Sequence, residues 1–313
     1  MRQPLVDLVD VRARAYASLL GSAIGDALGA TVEFMTPGEI KQTFGVLSDI
    51  RGGGWLRLAP GQVTDDTQMS LCVARSIATC GFSLRDIADR FVVWLRSKPC
   101  DVGSTCRRGI RRYMNNGSLA APPSDDDAGN GALMRMAPVA IATLADPTLL
   151  QSWAVEQAHI THHHPLSDLA CVSVGQLLHL AYLGRSREML RQHARSVIHH
   201  APVFGYLRFS GFCSAYVVDT VRTVLYHFFR SRSFEECVVN TVNQGGDADT
   251  AGAIVGAIAG AYYGLDEIPK RWVKALDAAL VTELQSLSER LIDRAPVSRS
   301  ESTGHPSPED QGP

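Results

Sequence analysis

Ala251-Gly252-Ala253-Ile254-Val255-Gly256-Ala257-Ile258-Ala259-Gly260-Ala261-Tyr262-Tyr263-Gly264 is the most apolar stretch of this chain, and glycine recurs in it at every fourth position. That spacing places Gly252, Gly256 and Gly260 on one face of an α-helix, with Gly264 keeping the phase. A glycine inside a helix costs about 1 kcal/mol relative to alanine, so the stripe needs a reason. A face without side chains lets another helix backbone come close. A second stripe, Gly21, Gly25 and Gly29, lies near the N-terminus. The expectation is two tightly packed central helices, whose ends belong to the most rigid part of the molecule. The apolar run is too short to cross a bilayer, which takes roughly 20 residues.

Helical periodicity extends outward from these two segments over most of the chain. In Leu84-Arg85-Asp86-Ile87-Ala88-Asp89-Arg90-Phe91-Val92-Val93-Trp94-Leu95, positions 84, 87, 88, 91, 92 and 95 form one apolar stripe. The pattern predicts helices over roughly 10–33, 66–80, 84–98, 104–115, 131–145, 148–160, 167–184, 187–199, 215–231, 234–244, 250–263 and 269–293. No segment sustains period-two alternation, so the fold class is all-α, a compact helical bundle. With no Pro/Ser-rich linker before residue 293, residues 1–293 read as a single domain. Residues 294–313 turn rich in Pro, Ser, Gly and charge and read as a disordered polar tail.

The chain has 313 residues, 45% of them hydrophobic and 20% charged, with a formal net charge of -2. That balance gives no basic field to hold nucleic acid. Seven cysteines, never in a C-x-x-C pair, argue against a disulfide framework and a zinc ribbon and for a reducing, cytoplasmic setting. The first residues, MRQPLVDLVDVRARAYA, contain no apolar core of a signal peptide.

Acidic groups gather at two helix starts. Thr64-Asp65-Asp66-Thr67 opens one helix, and Gln244-Gly245-Gly246-Asp247-Ala248-Asp249-Thr250 opens the second glycine-striped one. Capping alone would explain one oxygen at each start. Two carboxylates plus hydroxyls at each start exceed that need. Together they make a hard oxygen set suited to Mg²⁺ or Mn²⁺. If the two starts meet in space, they could hold a pair of ions.

These segments, together with Gly25-Asp26-Ala27-Leu28-Gly29-Ala30-Thr31-Val32-Glu33-Phe34, Gly129-Asn130-Gly131-Ala132-Leu133-Met134-Arg135 and Thr161-His162-His163-His164-Pro165, resemble the ADP-ribosylglycohydrolase family, in the family's order. GDALGATVEFMTP, GGGWLRLAPGQVTDDTQMSL and CDVGSTCRRGIRRY resemble its dinitrogenase reductase-activating subgroup. The resemblance implies an orthogonal helical bundle with a binuclear Mn²⁺ or Mg²⁺ centre. By motif match the metal ligands would be Thr64, Asp65, Asp66, Asp247, Asp249 and Thr250. It implies cleavage of ADP-ribosyl-arginine on a modified protein, dinitrogenase reductase or similar. A nitrogen-signalling protein that holds the enzyme at the membrane is the partner implied by the subgroup.

Within that reading Asp101 and Glu33 are candidates to protonate the guanidine leaving group, and Asp65 belongs to both the ligand set and the catalytic set. Gly129, Asn130 and Gly131 read as a diphosphate cradle at a helix N-terminus, or as an ordinary glycine turn. His162 becomes a contact for ADP-ribose. Zinc binding by His159, His162, His163 and His164 is disfavoured by Pro165 and by the lack of an H-E-x-x-H pattern. Tyr216 reads either as a half-buried aromatic or as a wall of the substrate cleft. The run Arg107-Arg108-Gly109-Ile110-Arg111-Arg112 suits a solvated helix face, or one that steers an acidic protein. Another ADP-ribosyl linkage, and a non-catalytic ADP-ribose-binding or immunity protein, are the competing functions.

Overall fold

The computed structural model describes residues 7–207 and 211–298. Fourteen α-helices follow one another in the described residues: α1 (Leu8–Gly29), α2 (Pro37–Phe44), α3 (Asp65–Cys80), α4 (Leu84–Arg96), α5 (Ser104–Asn116), α6 (Ala137–Ala142), α7 (Pro147–His159), α8 (Pro165–Tyr182), α9 (Arg187–His200), α10 (Val217–Arg230), α11 (Phe234–Val242), α12 (Ala248–Tyr263), α13 (Lys270–Ala275) and α14 (Ala278–Arg294). Among those residues there is no strand, only two isolated bridges, Gly53 with Leu58 and Gly129 with Tyr216. The all-α expectation holds. No helix in the described residues is long and apolar enough to cross a membrane.

The two glycine stripes face each other. A Cβ placed on Gly25 would lie 1.9 Å from the Gly252 carbonyl oxygen, and one on Gly21 would lie 2.3 Å from that of Gly256. From the other side, Cβ atoms on Gly256 and Gly260 would meet the carbonyls of Gly21 and Ala17, both at 2.1 Å. Rising numbers on α1 pair with falling numbers on α12, so the helices run antiparallel with their backbones in contact. Both are almost wholly buried from Ala17 and Ala248 onward. Tertiary packing of this kind offsets the intrinsic cost of glycine.

Several boundaries depart from the periodicity. The helix expected over 269–293 breaks into α13 and α14, because Asp277 caps a new start by accepting from the amides of Ala279 and Leu280. The helix expected over 131–145 begins only at Ala137, next to Pro138, after a run of turns. Helix α2 was not expected at all, although Thr36 and Glu39 form a reciprocal capping box around Pro37. The polar tail starts later than composition suggests. Ala295 and Val297 are buried, and the Val297 amide donates to the Leu144 carbonyl at 3.1 Å. Residues 299–313, the bulk of the expected tail, lie outside the described residues.

Candidate metal centre and active-site cleft

Antiparallel packing of α1 on α12 sets the C-terminal end of one helix beside the first turn of the other. A Cβ on Gly29 would come within 2.5 Å of the Asp249 Cα. Three residues before it on α1 is Asp26, fully buried, a position the sequence reading left without a role. Its carboxylate accepts from the amides of Thr64 and Thr67, at 3.0 and 3.1 Å, and from both their hydroxyls, at 2.9 and 2.5 Å. The start of α3 is thereby fastened to the α1–α12 pair. The Thr250 hydroxyl, on α12, donates to Asp66 Oδ2 on α3 across 3.2 Å. The two acid-rich helix starts do meet.

Further residues orient this cluster. Asn130 donates its amide to Asp247 Oδ2 at 2.5 Å and to the Thr220 hydroxyl at 2.9 Å. The Gly103 amide donates to Asp65 Oδ2 at 3.0 Å, which brings the segment after Asp101 against the start of α3. Carboxylate oxygens of Glu33, Asp101 and Asp249 lie within 4.8 Å of one another. The tightest acidic group thus contains one expected ligand, Asp249, and the two residues expected as acids. Asp65, Asp66 and Asp247 lie alongside it.

The electrostatics follow from burial. No carboxylate of Asp26, Glu33, Asp65, Asp66, Asp101, Asp247 or Asp249 has an ion-pair partner among the described residues. Desolvation, reinforced by Asp101, Asp247 and Asp65, pushes Glu33 up to about 8, against the pull of its bond from Trp55. Desolvation and then Asp101 push Asp65 up to about 7. Burial also holds Asp66 and Asp249 well above the usual carboxylate range and raises Asp101 and Asp247. Asp66 Oδ1 is buried with no hydrogen-bond partner. Unpaired carboxylates concentrated in a low-dielectric site call for protons or a cation. An all-oxygen donor set with an orphaned buried oxygen fits a hard divalent cation.

The cluster forms the floor of a cleft of about 290 Å³. Its walls include Glu33, Asp65, Asp101, Gly129, Asn130, Gly131, His162, Asp247, Asp249 and Thr250, together with Phe34, Trp55, Ser104, Cys106 and Ala215. Thr64 and Asp66 lie beneath, buried. Tyr216 is not among the lining residues; it is 40% exposed at the start of α10, and its neighbour Ala215 reaches the cleft instead.

The diphosphate cradle needs correction. Gly129–Gly131 does not open a helix, since α6 starts at Ala137. The Asn130 amide is already engaged by the Ala215 carbonyl at 3.0 Å. The lack of side chains at Gly129 and Gly131 makes room for His162: a Cβ on Gly131 would lie 2.8 Å from its ring, and one on Gly129 would lie 3.0 Å from Nε2.

His162 is held from behind by Arg135, whose guanidinium donates to Gln157 and to the Thr161 hydroxyl and stacks over Phe91. Arginine can only donate. The Thr161 hydroxyl accepts from Arg135 at 2.8 Å and is hydrogen-bonded to His162 Nδ1, also 2.8 Å away. Ring atom Nε2 faces the cleft glycines. Burial, and then Arg135, lower His162 to about 3, so the ring stays neutral. The remaining histidines of the run do not converge on a metal: His159 binds Asp168 at 3.0 Å, and His163 Nδ1 donates to the Ala121 carbonyl.

A family model described as ADP-ribosylglycohydrolase matches residues 7–301. Over 283 residues the chain is 50% identical to an ADP-ribosyl-[dinitrogen reductase] glycohydrolase of Rhodospirillum rubrum, covering 90% of this chain and 96% of that one. It is 32% identical to the ADP-ribosylarginine hydrolase Tri1 of Pseudomonas putida (strain GB-1), covering 90% of this chain and 79% of that protein. A solved structure titled ADP-ribosylglycohydrolase-related protein complex superposes with a TM-score of 0.82 at 37% identity, covering 91% of this chain and 99% of that one. Fold, motif order and sequence agree, and the chain belongs to the ADP-ribosylglycohydrolase family.

Proposed function

We propose that this protein hydrolyses the N-glycosidic bond of ADP-ribosyl-arginine on a modified protein, with dinitrogenase reductase the leading substrate. The observation that carries the proposal is the meeting of the two acid-rich helix starts, with the Thr250 hydroxyl on Asp66 and an unpaired Asp66 oxygen beside the cleft. The substrate is supported by the activities for which the R. rubrum and P. putida relatives are named.

Thr64, Asp65, Asp66, Asp247, Asp249 and Thr250 would hold two divalent cations, Mn²⁺ or Mg²⁺. Glu33 and Asp101 are close enough to Asp249 to join them or to act beside them. Bound divalent cations supply Lewis acidity to such a hydrolysis. In the reaction the bond from the ribose anomeric carbon to the guanidino nitrogen breaks. Water supplies oxygen to the carbon, and a proton goes to the departing nitrogen. Asp101 or Glu33 would deliver that proton; in the metal-free protein burial raises both above the ordinary carboxylate range. His162, its ring seated against Gly129 and Gly131, would contact the ADP-ribose moiety from the cleft wall. Asn130 keeps Asp247 in place, and Tyr216, next to the lining residue Ala215, would make at most a peripheral contact with substrate.

The test incubates the protein with Mn²⁺ or Mg²⁺ and an arginine-ADP-ribosylated peptide, followed by mass spectrometry. Intact arginine peptide and free ADP-ribose are expected, with the signal abolished by a chelator. A metal-loaded protein that leaves the modified peptide untouched would eliminate the reading.

A further inference from the structure

We propose that Phe34 and Trp55 form a stacking subsite for the guanidino group of the modified arginine, and so set the preference for that linkage. The inference rests on the hydrolase reading above. Both side chains line the cleft, and both are unusually open, Phe34 66% and Trp55 53% exposed. Their rings stand 5.4 Å apart at 44°. The Trp55 indole N–H donates to Glu33 Oε2 at 2.6 Å. That bond fixes the edge of the ring and leaves its face available.

The backbone beneath the pair is held in a costly shape. Phe34 has φ +65°, a region that bulky residues rarely enter. Its amide donates to the Gly246 carbonyl at 2.7 Å, and the Gly246 amide donates back to the Met35 carbonyl at 2.9 Å. The residue after Gly246 is Asp247, so the loop that carries the acids also maintains the strained turn. On the Trp55 side, Gly54 has φ +67°, and a Cβ there would stand 2.4 Å from the Ala30 carbonyl. The turn is clamped to the end of α1. Two aromatic rings are thus pinned open at the mouth of an acidic cleft, where no packing need of the fold places them.

Planar, weakly hydrated guanidinium is the group that aromatic faces and nearby carboxylates recognise together. Glu33 and Asp101 supply the carboxylates. A serine oxygen offers no comparable face, so the subsite would favour the arginine linkage over an oxygen-linked one.

The experiment compares wild type with Trp55→Leu, Trp55→Phe and Phe34→Leu. It reads kcat/KM on an ADP-ribosyl-arginine peptide, and ADP-ribose and Mn²⁺ affinity by calorimetry. The expected result is a loss of about tenfold in kcat/KM for each leucine variant. Trp55→Phe, which keeps a ring face but loses the bond to Glu33, should retain clearly more kcat/KM than Trp55→Leu, and ADP-ribose and Mn²⁺ affinities should stay within twofold. If ADP-ribose affinity falls in step with kcat/KM, the rings serve the nucleotide and the proposal is overturned. It is also overturned if Trp55→Phe is as poor as Trp55→Leu, since the hydrogen bond to Glu33 would then be the whole effect. Leucine variants as fast as an active wild type refute the subsite alone. An inactive wild type refutes the hydrolase reading and the subsite with it.

Discussion

Asp26 shows how much of the site depends on a residue that touches no substrate. Its carboxylate accepts from four donor groups on Thr64 and Thr67, and through them places Asp65 and Asp66. Burial drives this carboxyl up to about 6, against the pull of those bonds, so the fold spends stability to keep it there. An asparagine would keep the shape but turn an NH2 group toward the Thr64 and Thr67 amides, which can only donate. Asp26→Asn is expected to weaken Mn²⁺ binding about 10–100-fold, the usual cost of losing a residue that orients metal ligands. Calorimetric Mn²⁺ titration reads it; an unchanged affinity would mean the start of α3 holds itself in place. Nothing in the local sequence marks Asp26, because its partners lie 38 and 41 residues away. The same holds for Trp55, which reaches Glu33 across 22 residues. Asp65, Asp66, Asp247 and Asp249 were legible because paired carboxylates at a helix start exceed what capping uses.

At the scale of elements, the period-four glycines announce close packing, yet only the fold reveals that the two stripes pair with each other. The antiparallel sense of that pairing is what carries the α12 acids to the end of α1. Alanine at Gly25 would gain about 1 kcal/mol of helix propensity. It would also drive a methyl to 1.9 Å from the Gly252 carbonyl, where only backbone can yield. Gly25→Ala is therefore expected to lower the urea midpoint, by a net loss of about 3 kcal/mol from overpacking. Gly38→Ala, on the exposed face of α2 with its nearest atom 3.9 Å away, should raise the midpoint slightly. Equal effects at both positions would show that propensity, not backbone contact, governs these helices. Boundaries were harder to read than packing faces. The Asp277 cap and the Thr36–Glu39 box were present in the sequence, but continuous apolar periodicity obscured the first, and the shortness of α2 hid the second. The turns of residues 131–135 owe their shape to tertiary bonds such as that from the Asn130 amide to Ala215, which no periodicity encodes.

For the whole molecule, the acidic cluster and the buried histidines pull stability in opposite directions as pH changes. His162 is lowered to about 3, and His179 and His227 to about 4, each chiefly by burial. An unfolded histidine takes up a proton near 6.5 while these folded ones do not, so they destabilise the protein below that pH and are neutral above it. Glu33 behaves in the opposite sense. Its folded value of about 8 lies above its ordinary 4.5, so the folded state binds the extra proton and stability falls as pH rises through that interval. Asp65, up to about 7 from 3.8, adds to the same trend. Between pH 6.5 and 8 the histidine contribution is complete and the carboxyl contribution is still growing. The metal-free protein should therefore lose stability there, on the order of 1 kcal/mol per pH unit. A divalent cation replaces those protons, so its affinity should rise over the same interval. Mn²⁺ at a hundredfold excess over its Kd would add about 2.7 kcal/mol, or roughly 5 °C in Tm for a domain of this size. Thermal unfolding at pH 6.5 and pH 8, with EDTA and with Mn²⁺, should show a falling Tm in the first series and a level or rising one in the second. Parallel curves in the two series would mean that the buried acids are balanced by something other than a cation.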